Sequence, residues 1–478
     1  MPDATTTLPN WALALLIVLA AWTVADRLVA PALRWFLHRR GKRVLEEINT
    51  RLKIQIQPFK LTKREVLIDR LLYDAQVQAA AERYARAEEL PRELVMQTVE
   101  RYAQEIVPAF NAYVYFRFGY WLARRAARTL YRVRLGYADE PALARVPPDA
   151  TVVFFMNHRS NMDYILISFL AAERTALSYA VGEWARIWPL QTLVRAMGAY
   201  FVRRDSRDAL YRKVLERYVH MATAAGVTQA VYPEGGLSRD GNLRPPKVGL
   251  LNYMLRSFDP AGARDLVFVP VGINYDRVLE DRSLLLSLDA SSEQRRGRAV
   301  AVKNTLAFIW RNLLLTARNR WRRFGYACVN FGTPISLKEY LADRRIDFRT
   351  LERDEYFPRV EELARELMSA IARVVPVVPV SLIATVFVRQ PERTWSELEL
   401  KTEVLELMRQ LDARGAHLYI PRGDQDYAVT VGLRMLTLRR LVNQTDGLYA
   451  AQTRELTLLA YYANSIAHLF DEGMRAEG

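Results

Sequence analysis

One cysteine, Cys328, stands in 478 residues, which excludes any intrachain disulfide. The chain needs no oxidising compartment, and a reduced cytoplasmic setting suits it. Histidine is almost as scarce, with five in all. No second histidine or cysteine sits at ligand spacing, so no metal is implied. There is no low-complexity tract and no internal repeat. Half of the residues are hydrophobic (51%) against 25% charged, the balance of a globular chain. The length allows about two to four domains at ~150 residues each. Acid is in deficit: 53 Asp and Glu face 68 Lys and Arg, a net charge of +15. That sign suits nucleic acid, an anionic membrane surface, or phosphorylated or acidic substrates, and does not choose among them.

The N-terminus narrows the choice. Ala4 to Ala25 carry no charge, and Trp11 to Ala25 are almost wholly apolar. At ~1.5 Å per residue such a run just reaches across a bilayer core of ~30 Å. Asp26 and Arg27 interrupt it before Leu28 to Leu37 resume an apolar character. The cations Arg27, Arg34, Arg39, Arg40, Lys42 and Arg43 lie after the run's start, and only Asp3 precedes it. This asymmetry predicts an anchor over residues 1–40, with the N-terminus outside and everything beyond it cytoplasmic. A cleaved signal peptide would carry its cations first. An interfacial amphipathic helix is the alternative, and it too contacts membrane lipid.

Residues 41–145 read as a helical, membrane-proximal region, with apolar positions recurring as in Val66-Leu67, Leu71-Leu72, Val77 and Val95, Val99, Tyr102, Ile106. Tyr113 to Tyr131 interleave aromatics with Arg124, Arg125 and Arg128. That pattern fits an ordinary packed helix with a solvated basic face, or a helix lying at a bilayer interface. Pro147-Pro148-Asp149 marks a boundary. Beyond it strands are predicted at Thr151–Phe155, Ala199–Val202, Gln229–Tyr232, Leu266–Val271 and Ala327–Phe331, with helices between them. The alternation argues for an α/β domain over 146–340 with a mostly buried sheet. A helical C-terminal region, 341–478, follows. In it Pro376 and Pro379 break an apolar run that is too short to span a bilayer and reads as core.

Four strand ends carry polar residues that packing alone does not ask for. After Val152–Phe155 come Asn157-His158-Arg159-Ser160-Asn161-Met162-Asp163-Tyr164. A His-Asp pair can activate a hydroxyl, the Asp fixing the tautomer and the His taking the proton. Val231-Tyr232 empties into Pro233-Glu234-Gly235-Gly236-Leu237-Ser238-Arg239-Asp240-Gly241, followed by Lys247. Paired glycines let backbone N–H groups approach an anion, although such a loop alone is more often a plain turn. Phe201-Val202 ends in Arg203-Arg204, whose forks suit phosphate, or are simply solvated. In Val269-Pro270-Val271-Gly272-Ile273-Asn274-Tyr275 the proline predicts an edge strand or a distortion.

Taken in order, His158 with Asp163, Gly182-Glu183 through Arg203-Arg204, Glu234-Gly235-Gly236 with Ser238-Arg239 and Lys247, and Val269-Pro270 resemble the four blocks of the glycerolipid acyltransferase superfamily. Within it the chain is most similar to the bacterial glycerol-3-phosphate acyltransferases. The tail segment Leu458-Leu459-Ala460-Tyr461-Tyr462-Ala463-Asn464-Ser465-Ile466 resembles that branch too. Two departures stand out: Leu237 where the family usually has arginine, and Asn242 near where it commonly has a basic residue. Arg244 is a nearby substitute.

The resemblance implies a mixed α/β sheet flanked by helices, and acyl transfer from acyl-CoA or acyl-carrier protein to the sn-1 hydroxyl of glycerol 3-phosphate. It implies His158 as general base and Asp163 as its orienting partner. The substrate-binding set it implies is Arg159, Arg203, Arg204, Glu234, Gly235, Gly236, Ser238, Arg239 and Lys247. In that set Arg203, Arg204, Arg239 and Lys247 face the phosphate, Arg159 either reaches it or is structural, and Glu234 orients its loop. An oxyanion would be held near Gly235-Gly236 or by the turn after His158. No cofactor and no nucleic acid are expected. Lysophosphatidate or dihydroxyacetone phosphate are the alternative acceptors. A non-catalytic basic membrane binder is the alternative of another class.

Overall fold

Long apolar strands without a polar face need cover on both sides, and that requirement sets the architecture. In the computed structural model, which describes residues 57–171, 176–182, 190–203, 206–256, 258–289 and 324–470, eight strands form one mixed sheet. They are β1 (Arg132–Ala138), β2 (Thr151–Met156), β3 (Ser178–Val181), β4 (Tyr200–Phe201), β5 (Gln229–Val231), β6 (Leu266–Tyr275), β7 (Tyr326–Phe331) and β8 (Ile335–Ser336). The order is β1-β7-β6-β2-β5-β3-β4, with β8 also on β6. Strands β2 to β6 run parallel, β7 runs against β6, and β1 is parallel to β7. All ten residues of β6 are buried, as its continuous apolar sequence requires. The anchor expected over 1–40 lies outside the described residues. Among those described, no helix is long and apolar enough to cross a membrane.

Two cores sandwich the sheet. Val153, Phe155 and Phe268 join one face to the N-terminal helices Arg64–Leu72, Ala75–Ala87 and Arg92–Ile106 and to the helix Ala209–Ala224. Met156, Val269 and Val271 join the other to Met162–Ala171 and to the C-terminal helices Pro379–Arg389, Glu397–Asp412, Gln425–Leu438 and Leu456–Ala467. Polar stitches fix the first layer. Asp74 caps Ala75–Ala87 and also takes Arg217 at 2.8 Å. The prolines at 376 and 379 do not interrupt a core: Pro379 opens a helix buried along almost its whole length, where its missing N–H costs nothing.

Besides the short strands β3 and β8, which the sequence reading does not contain, three elements depart from it. β1 lies inside the region read as helical, before the expected boundary at 145/146, and pairs with β7. Its residues Arg132-Val133-Arg134-Leu135 alternate with period two, which the preceding aromatic-basic helix disguises. Pro270 sits in a central strand, not an edge. Its neighbour on one side changes from β8, at Val267 and Phe268, to β7, from Val271 onward, so its missing N–H falls in the gap. The tail carries a three-stranded sheet, Trp395–Ser396, Val442–Thr445 and Leu448–Ala451. Its hairpin turns on Asp446-Gly447, both at positive φ (51° and 78°).

Candidate active site

Strand β2 ends at Met156, and the next side chain extends the ladder in place of backbone. Asn157 donates to the Ile273 carbonyl at 2.9 Å and accepts the Ile273 N–H at 2.8 Å. That pins the strand end to β6 and delivers His158 into a buried turn. The His158 Nδ1 lies 2.8 Å from Asp163 Oδ2. Because a carboxylate oxygen accepts, Nδ1 carries the hydrogen, and Nε2 has no recorded partner among the described residues. The imidazole stacks on Tyr232 at 4.0 Å between centroids and meets the edge of Tyr164 at 5.4 Å. Those rings hold it flat and exclude water from its faces.

Asp163 opens the helix Met162–Ala171, where the dipole favours an acid. Its Oδ2 also accepts the N–H groups of Arg159 at 2.8 Å and Ser160 at 3.0 Å, and its Oδ1 accepts the Tyr275 hydroxyl. Behind the turn stands Glu280, beyond the end of β6. It accepts from Ser160 Oγ at 2.7 Å, Asn161 Nδ2 at 3.1 Å and Asn161 N–H at 3.3 Å. The two carboxylates therefore clamp the turn from opposite sides.

The glycine-rich loop wraps the same histidine. Glu234 accepts the His158 N–H at 2.9 Å and the Arg244 N–H at 3.1 Å, and Ser238 N–H donates to the His158 carbonyl at 2.9 Å. Gly235 needs its positive φ of 67°, and a Cβ there would sit 2.7 Å from Lys247 Cδ. Ser238 Oγ is spent inside the loop, on the Asn242 carbonyl at 2.8 Å and the Gly241 N–H at 3.1 Å. Arg159 is buried, donates to the Gly241 carbonyl and lies 4.9 Å over the Tyr461 ring. Among the described residues its Nε and Nη2 have no hydrogen-bond partner. Arg239 and Lys247 are exposed, Lys247 with its stem against Gly235.

Arg203 is committed elsewhere. Both oxygens of Glu105 hold its fork, at 2.6 and 2.8 Å, and the rings of Tyr102 and Tyr211 lie 4.9 and 4.8 Å from its guanidinium. Arg204 and Glu183 lie outside the described residues. The turn after His158 has no N–H to offer an oxyanion. Residues 158 to 163 all donate within the protein, to Glu234, Asp163, Glu280 and Ser160. Gly235 N–H goes to the Tyr232 carbonyl at 3.0 Å, whereas among the described residues the N–H groups of Gly236 and Leu237 meet no acceptor.

Tyr275, Glu280, Tyr232 and Tyr461 complete the site and were not singled out from sequence. Tyr275 was within reach, as the last residue of the Val269–Tyr275 segment. Glu280 had no local signal.

Burial pushes the carboxyls of Glu234, Asp276 and Glu280 up to about 7. Each therefore binds its proton more tightly when folded. Their stabilising contribution is complete below the ordinary carboxyl range of ~4 and is lost as pH rises through about 7. The thermal midpoint is expected to fall as pH goes from ~5 to ~8. Glu280→Gln, which keeps the shape and an acceptor, should flatten that slope. Identical slopes in melting curves of the two proteins would refute the assignment.

The family described as "Acyltransferase" matches residues 142–274, and the "Glycerol-3-phosphate acyltransferase C-terminal region" matches 310–472, together well over half of the chain. Among similar proteins, a glycerol-3-phosphate acyltransferase of Xanthomonas campestris is 27% identical over 90% of this chain and 48% of its own. One from Alteromonas mediterranea is 27% identical over 86% and 50%, and one from Pseudomonas entomophila 28% over 90% and 52%. The chain thus spans about half the length of these relatives. A solved 1-acyl-sn-glycerophosphate acyltransferase from Thermotoga maritima aligns at 17% identity over 53% of this chain and 79% of its own. Its TM-score of 0.30 is too low to equate the folds. The two family matches, one spanning the His158–Asp163 turn and the other the tail helix Leu456–Ala467, point to one kinship: the chain belongs to the glycerolipid acyltransferase family.

Proposed function

We propose that the chain transfers an acyl group from a fatty acyl thioester, acyl-CoA or acyl-carrier protein, to the sn-1 hydroxyl of glycerol 3-phosphate, giving lysophosphatidate. The observation that carries this reading is the 2.8 Å His158–Asp163 pair, presented at a strand end with Nε2 unengaged. Nε2 takes the hydroxyl proton as the oxygen attacks the thioester carbonyl. Asp163 keeps the tautomer and stabilises the imidazolium. The N–H groups of Gly236 and Leu237 are the donors left for the tetrahedral oxyanion. On collapse the C–S bond breaks, and the thiolate leaves with the proton held on Nε2. No acyl-enzyme is needed.

The phosphate falls to Lys247, Arg239 and the two unspent donors of Arg159. Glu234 orients the loop. Arg244 stands in for the family arginine absent at Leu237. The protein works at the cytoplasmic face of a membrane, held by the N-terminal run, where acyl chains and product partition. The names of the three relatives given above, each a glycerol-3-phosphate acyltransferase, support this acceptor.

The test is acyl transfer by detergent-purified protein with glycerol 3-phosphate and lysophosphatidate offered in parallel. Transfer to lysophosphatidate alone would sink the proposed acceptor. In the same assay Lys247→Ala should raise KM for glycerol 3-phosphate about tenfold to a hundredfold, the value of a charge-assisted contact. Arg203→Ala should lower the melting temperature and leave that KM in place. The opposite pattern would return Arg203 to the phosphate.

A further inference from the structure

Between Phe110 and Ala138 the chain carries six arginines and neither aspartate nor glutamate. Residues 112–130 of this segment form one continuous helical rod, a π-turn, Val114–Gly119, running into the α-helix Tyr120–Leu130, and Arg132 and Arg134 follow on β1. Its inner side is made of small residues. Gly119, Ala123 and Ala127 are buried, and Ala127 belongs to the core that includes Leu166 of the helix Met162–Ala171. Small residues let the two helices approach closely, and the partner helix is the one that begins with Asp163.

The outer side is the reverse of what a solvated helix shows. Phe118 is 47% exposed, Trp121 57% and Leu122 38%. At spacings of three and four they form one stripe. Arg125 falls within that stripe, and Arg124 and Arg128 flank one side of it, all exposed. The helix ends in a concavity of about 380 Å³ lined by Arg128, Arg132, Arg134 and Phe169. Three large apolar side chains turned to water on one helix need an occupant. A protein partner would meet them with apolar surface and acids. An interfacial lipid layer offers the aromatic ring level, anionic phosphates and depth for the arginine stems to snorkel.

We propose that this face lies on an anionic bilayer surface, with Phe118, Trp121 and Leu122 in the headgroup–acyl boundary and Arg124, Arg125 and Arg128 on lipid phosphates. The inference rests on the acyl-transfer reading for its purpose. The rod packs directly on the helix that carries Asp163, so docking it would set the His-Asp turn at a fixed height above the lipid from which the acyl chain enters and into which product leaves.

The test reads depth, not activity, so it stands apart from the choice of substrate. Cys328 is fully buried, so one introduced cysteine can carry an environment-sensitive fluorophore. The full chain is labelled at Phe118→Cys and, separately, Leu122→Cys, with Leu398→Cys (76% exposed in the C-terminal region) as the aqueous control. Each is reconstituted into vesicles containing phosphatidylglycerol and checked by flotation. The expected result is loss of iodide quenching and gain of quenching by lipid-borne nitroxides at both sites, with neither at Leu398. Floating protein whose labels at 118 and 122 stay as iodide-accessible as at 398 overturns the proposal and leaves the acyl-transfer reading intact. Failure to float overturns it together with the membrane localisation. Equal shielding on purely phosphatidylcholine vesicles overturns the part given to the arginines.

Discussion

Replacing His158 with alanine is expected to lower kcat for acyl transfer about 10²–10⁴-fold, the usual yield of a positioned general base. The structure makes this substitution a clean one. His158 is held to its surroundings through its backbone, by Glu234 and Ser238, and those contacts survive the loss of the ring. Asp163 loses one donor of four and keeps Arg159 N–H, Ser160 N–H and the Tyr275 hydroxyl. The turn should therefore persist, with KM for glycerol 3-phosphate little changed and folding intact by circular dichroism. Asp163→Ala should cost as much activity and stability besides, because it strands four donors, three of them on Oδ2. Each stranded buried donor costs about 1–3 kcal/mol. Residual kcat within a factor of ten of wild type in a folded His158→Ala protein would remove His158 from the proton-transfer role.

The second large effect is predicted at a residue without a side chain. Gly241 has φ of 94°, and a Cβ there would lie 2.0 Å from the Tyr461 carbonyl oxygen. The obstacle is backbone of a buried helix, which cannot swing away. The loop would have to lift from the helix Leu456–Ala467. Lifting it would break the Asn464 bond to the Asp240 carbonyl (2.9 Å) and the Arg159 bond to the Gly241 carbonyl. Backbone strain of ~1–3 kcal/mol and overpacking of similar size put the cost of Gly241→Ala at about 2–6 kcal/mol. Gly415→Ala is the control. It has a similar φ of 75° but nothing within 4 Å of the added carbon, so it meets strain alone. Thermal melts should show Gly241→Ala well below Gly415→Ala, with activity lost in step. Equal midpoints would mean that the loop is not seated on the tail helix.

The strands and the polar residues at their ends were readable because apolar alternation and strand-end polarity are local facts. So was the His-Asp spacing: five residues apart, across a tight turn, the two side chains have few ways not to meet. What failed to show was pairing fixed by tertiary register. Arg203 was read as a phosphate ligand because its chain neighbours suggest one. Its actual partner, Glu105, is 98 residues away, on a helix that only the fold brings near. Glu280 is 120 residues from Ser160 and sits in no recognisable pattern. β6 runs four residues beyond the predicted end at Val271, because the sheet continues to pair through Gly272 and Asn274. Those four residues end in Tyr275, which reaches Asp163. The Asp446-Gly447 hairpin, by contrast, had a clear local signal, obscured by the helices on either side.

The grip of the tail helix on the glycine-rich loop also bears on timing during synthesis. Asn464 contacts Asp240 across 224 residues, and Asn274 contacts Ser465 across 191. Loops that long close late, after the local helices and hairpins have formed. A chain still emerging from the ribosome can form local helices and hairpins, yet it has no seat for the glycine-rich loop and no cover for one face of the sheet. Seating of the glycine-rich loop thus waits until the helix Leu456–Ala467 has been made.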